Sequence, residues 1–110
     1  MLASLLDVPD DPNKLRVWFH DHDADHQQIR DSIQRQTGIN LERLILDPVN
    51  LDQFDKWLSD HQQMHTDFTG LFGLQSSDLT SVDWSDPVQK RAWSELHYQE
   101  HLSVSTVLKI

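Results

Sequence analysis

Large apolar side chains recur at helical intervals in three separate stretches of this chain, and a pair of histidines interrupts each stretch near its centre. Upstream, Leu15, Trp18, Phe19, Ile29 and Ile33 share one side of a helix, and His22 and His26 fill the gap between them. In the middle, Leu51, Phe54, Leu58, His61, His65, Phe68 and Phe72 step in threes and fours, so both histidines take interior positions. Downstream, Ala92, Trp93, Leu96, Val104 and Val107 form an apolar arc. His97 falls inside that arc, Glu100 near its middle and His101 on its border.

The punctuation agrees with this period. The first helix starts at Asp11-Pro12, a cap followed by an N1 proline, and stops at Gly38, a natural residue for a left-handed C-terminal turn. The second has a capping-box spelling in Asn50 and Gln53 and ends around Gly70 or Gly73. The third starts at Asp86-Pro87, with Gln89 as the N3 partner, and runs towards Ile110. Between the first two, "INLERLILDPVN" reads as a short helix from Leu41 or a buried extended stretch, ended by Pro48. Between the last two, "GLQSSDLTSVDWSD" reads as a loop anchored by Leu79, Val82 and Trp84. The expectation is an all-α fold over residues 1–110: a single domain, a small bundle of three main antiparallel helices with a short connecting element.

Each histidine pair lies near the middle of its helix, so packing the helices side by side brings the pairs to one level. That predicts a layer of His22, His26, His61, His65, His97 and Glu100, with His101 at its rim. Burying these groups without partners costs about 1–3 kcal/mol each, so they must be satisfied somehow. Three answers remain open. They hydrogen-bond one another, they hold a divalent metal such as zinc or iron, or they face outward towards a partner. Two histidines at i and i+4 can chelate from one helix, and bundle cores build metal sites from facing helices. Three inward pairs at one level are far more specific than one. The metal candidates are therefore His22, His26, His61, His65, His97, Glu100 and His101, with Asp23 and Asp25 as flanking carboxylates.

Charge and composition narrow the function classes. A net charge of −9, with nine Lys and Arg that never form a run, argues against a nucleic-acid interface. Cysteine is absent, which removes disulfides and thiolate sites. "MLASLL" lacks the basic start and length of a signal peptide, and no apolar run approaches a membrane span of about 20 residues. With three glycines there is no phosphate loop, and no nucleophile motif is visible, so binding is favoured over catalysis.

Two resemblances follow from the motifs. The pairs His61/His65 (HxxxH) and His26/Asp31 (HxxxxD) are similar to hemerythrin-like domains, which implies a His/carboxylate iron centre in a helical bundle. The chain has no HxxxE, and it shows three long helices where that family has four. More of the chain resembles small proteins of tailed bacteriophages. The pattern is W-x3-H-x3-H-x2-I from Trp18 to Ile29, W-L-x2-H-Q-x-M-H from Trp57 to His65, D-L-x2-V-D-W-x-D from Asp78, and W-x3-H-x3-H from Trp93, ending V-L-K-I. That resemblance implies a phage-encoded structural or interaction protein in or around the virion or in the host cytoplasm. A protein partner or self-association is expected, and the charge and hydropathy already described argue against nucleic acid and membrane.

Overall fold

The computed structural model describes residues 5–41 and 54–110, and within them the fold is all-α. Three helices carry it: α1 (Pro12–Thr37), α2 (Phe54–Leu71) and α3 (Pro87–Leu108). The Asp11 side chain accepts hydrogen bonds from the backbone N–H groups of Asn13 and Lys14, and α1 ends on Gly38 at φ 75°, where a side chain would be strained. The Asp86 side chain accepts from Val88 N–H and caps α3. Gln89 serves a different group from the one its spacing suggests, accepting from Asp83 N–H at 3.0 Å. The Asn50–Gln53 spelling and most of "INLERLILDPVN" lie outside the described residues.

The helices form the expected small bundle, but they run in one direction. Lys90, in the first turn of α3, pairs with Asp10 just before α1. At the other end, Gln36 donates to the carbonyl of Leu108 at 2.7 Å. Phe19 of α1 packs on Phe54 and Trp57 of α2, all upstream of their histidines, and Trp57 meets Trp93 of α3. An antiparallel arrangement would put these residues on opposite sides of the histidine level. The expectation of antiparallel helices is therefore corrected. For α2 and α3 the reason lies in residues 72–86, which do not make a tight turn but retrace the length of α2. Gln62 donates to the carbonyl of Ser77 and accepts from Leu79 N–H, Trp93 Nε1 donates to the carbonyl of Leu79, and Trp84 stacks edge-on against Phe54 and Trp93. The anchors named from sequence hold: Leu79 is fully buried, with Val82 and Trp84 packed against the core.

The core follows from this common direction. Near the start of the helices lie Val8 and Leu15, then a tier of Trp18, Phe19, Trp57, Leu58 and Trp93. The histidines come next, and beyond them Ile29, Ile33, Phe68, Val104 and Leu108. Burying each large apolar side chain contributes about 1.5–3 kcal/mol, so the polar level is held between two apolar ones. In α3 the buried face is turned from the apolar arc. Leu96 and Val107 are 46% and 40% exposed, while His101 is 2% exposed. Interior places that hydrophobicity assigns to Leu96 and Val107 go to His97, Glu100 and His101. No described helix is long and apolar enough to cross a membrane.

Candidate metal centre

The W-x3-H-x3-H spacing places a tryptophan, a histidine and a second histidine one above another on each helix. Trp18 stacks on His22 at an interplanar angle of 5°, Trp57 on His61 at 13° and Trp93 on His97 at 24°. Each indole fixes the plane of the imidazole beneath it. His22, His61 and His97 thus form one tier, and their Nε2 atoms lie 2.8, 3.0 and 3.3 Å apart. His26, His65 and His101 form the second tier, with His26 and His101 Nε2 atoms 3.2 Å apart. One ligand atom from each of the six residues lies within 4.8 Å of every other, and all six residues are buried. Ring centroids are spaced 4.3–5.3 Å around this narrower nitrogen cluster, so the rings point inward.

Glu100 stands behind the cluster. Its Oε1 is 3.4 Å from His65 Nδ1, and its Oε2 accepts a hydrogen bond from Ser77 N–H at 3.1 Å. A carboxylate at Nδ1 favours the tautomer that keeps its proton there, which leaves the His65 Nε2 lone pair for the cluster. Glu100 therefore orients an imidazole while remaining outside the six-nitrogen set, and His101 belongs inside that set. Asp23 and Asp25 are half-buried and outside it. Burial, and then Asp21, raise the Asp25 carboxyl above the usual range. His20 is exposed.

Hydrogen bonds among the six serve this geometry only in part, through Nε2–Nε2 contacts of 2.8–3.3 Å among His22, His26, His61, His97 and His101. Six rings aimed at one point direct any Nε2 proton at the centre, about 45° off the line to a neighbouring nitrogen. The resulting N–H···N angle is near 120°, where hydrogen bonds weaken steeply. The buried Nδ1 atoms of His22, His26, His61, His97 and His101, and Nε2 of His65, have no partner, and an ion held through Nε2 leaves those Nδ1 groups as they are. At about 1–3 kcal/mol each, their cost is on the order of the 5–15 kcal/mol that holds a whole domain together. Burial, then mutual repulsion, pushes the pKa values of His22, His26, His61, His97 and His101 well below 6.5. Six imidazoles converging in this way can present lone pairs to a common centre, an arrangement that suits a cation.

The spacing suits a metal. Six Nε2 separations among His22, His26, His61, His97 and His101 run from 2.8 to 3.3 Å, and an octahedron with such edges has its centre about 2.0–2.3 Å from each vertex, the length of a metal–imidazole bond. The sequence had named every member of the cluster. It did not show the strap from Gln62 through Ser77 and Leu79, because those residues read only as loop. Comparison with known proteins adds nothing to the geometry: no family model matches the chain, and neither a curated protein nor a solved structure matches it.

Proposed function

We propose that this protein is a metal-binding helical bundle that takes one divalent transition-metal ion between its three helices. The observation that supports this reading is the convergence of six buried imidazoles on one metal-sized centre. Imidazole suits zinc, iron, nickel and copper, and zinc and iron are the two that the sequence brought forward. Binding free energies of about 10–16 kcal/mol, as for structural zinc, are large enough to offset the cost of burying the polar layer. His22, His26, His61, His65, His97 and His101 hold the ion, while Glu100 sets the tautomer of His65. Elemental analysis of protein purified without an affinity tag tests the reading. About one equivalent of metal is expected, and less than about a tenth, with no uptake on addition of metal, would sink it.

The resemblance to small tailed-phage proteins adds a proposal of setting: a component in or around the virion that meets a protein partner or a second copy of itself. A protein census of purified virions tests that separately.

A further inference from the structure

We infer that the centre takes a six-coordinate divalent ion of the iron, cobalt or nickel type, held by all six imidazoles, in preference to four-coordinate zinc. This rests on the metal-binding reading and carries it to coordination number and metal class.

The pattern of neighbours is that of an octahedron, in which every vertex has four neighbours and one opposite. His22 is flanked by His26, His61, His97 and His101, with His65 opposite. His26 is flanked by His22, His61, His65 and His101, with His97 opposite. His61 is flanked by His22, His26, His65 and His97, with His101 opposite. The remaining rings obey the same rule. The separations are compatible: the six Nε2 edges among His22, His26, His61, His97 and His101, 2.8–3.3 Å, imply diagonals of about 4.0–4.7 Å, and all six ligand atoms lie within 4.8 Å of one another. A tetrahedral site would leave two imidazoles outside the cluster, and none is outside.

Two chemical consequences follow. Structural zinc is almost always four-coordinate, whereas six equal nitrogen donors favour ions that gain ligand-field energy in an octahedron, and nickel stands highest of the iron–cobalt–nickel series. Copper(II) prefers a tetragonal site to six equivalent ligands. With all positions filled by the chain, none is left for water, dioxygen or a substrate, so the ion is carried or sequestered and does no open-site chemistry.

The test uses full-length untagged protein stripped with chelator and titrated with Co2+. Six-coordinate cobalt absorbs weakly in the visible, and tetrahedral cobalt far more strongly. A weak spectrum at one equivalent, unchanged by azide, is the expected result. An intense band, or a spectrum shifted by azide, overturns the inference and leaves metal binding standing. Absence of uptake for cobalt, nickel, iron and zinc removes the metal-binding reading itself. His101→Ala should open one position, so that azide now shifts the spectrum. His26→Ala serves the same purpose if that variant does not fold. In competition, bound Ni2+ should survive an equimolar challenge with Zn2+, and its displacement would overturn the stated preference.

Discussion

At the scale of the residue, the imidazoles are governed by what stands behind them. Trp18, Trp57 and Trp93 fix three ring planes by stacking, and Glu100 fixes a fourth ring through its tautomer. Glu100→Gln keeps the shape and the hydrogen bond from Ser77 but removes the charge facing His65 Nδ1. Metal affinity should fall about 10–100-fold, as it does when such supporting partners are lost, with helix content unchanged. A competition titration against a chromophoric chelator measures it, and an unaltered affinity would show that the carboxylate plays no part. Replacing His61 and His65 together with Leu extends the apolar stripe of α2 and removes one chelating pair. That variant should take up no metal, and a chelator that lowers the melting temperature of the wild type should leave the variant's unchanged. All six imidazoles were legible in the sequence because a histidine at an interior helical step is conspicuous. The place of His101 was less so, because an arc drawn through Leu96 and Val107 moves it to the edge.

Elements show where a sequence stops informing. The starts of α1 and α3 could be read because Asp11-Pro12 and Asp86-Pro87 state their roles locally. Helix direction could not, because a histidine pair at mid-helix meets its neighbours at one level whichever way the helices run. For α2 and α3 the deciding information is in the return strap, whose hydrogen bonds to Gln62, Trp93 and Glu100 are long-range and leave no periodic trace. Spin labels at exposed positions Asn13 and Val88, in the first turns of α1 and α3, should therefore report a short separation. Antiparallel helices would hold them apart by the length of α3, about 33 Å for 22 residues. Leu79 seats the strap, so Leu79→Ala should cost about 2–5 kcal/mol, measured by urea unfolding. A loss below about 1 kcal/mol would mean that the strap is held by its hydrogen bonds instead.

On the scale of the molecule, one ion would tie together three helices that otherwise share a polar level with unpartnered nitrogens. Its effect on stability then depends on free metal concentration, as for any ligand that binds only the folded state. Protons act in the opposite sense. In the unfolded chain, histidines take up protons as pH falls through about 6.5, while those pushed down by burial in the fold stay neutral. The unfolded state thus binds more protons from about pH 6.5 down to the lowered values, and stability must decrease as pH drops across that window. Urea midpoints of metal-free protein should fall steadily from about pH 7 to 5. Midpoints that stay level would mean that the histidines are not held neutral by the fold.

The common direction of the helices has one last consequence. Each helix supplies a pair of neighbouring vertices, His22–His26, His61–His65 and His97–His101, and each pair bridges the two tiers. Three such bridges around an octahedron make a propeller, and a propeller exists in two mirror-image forms. The chain, built of L-residues and threaded in one order, admits a single form. A bound cobalt or nickel ion should therefore be chiral at the metal, and its visible absorption should carry circular dichroism of fixed sign. The same ion bound by free imidazole would have no handedness.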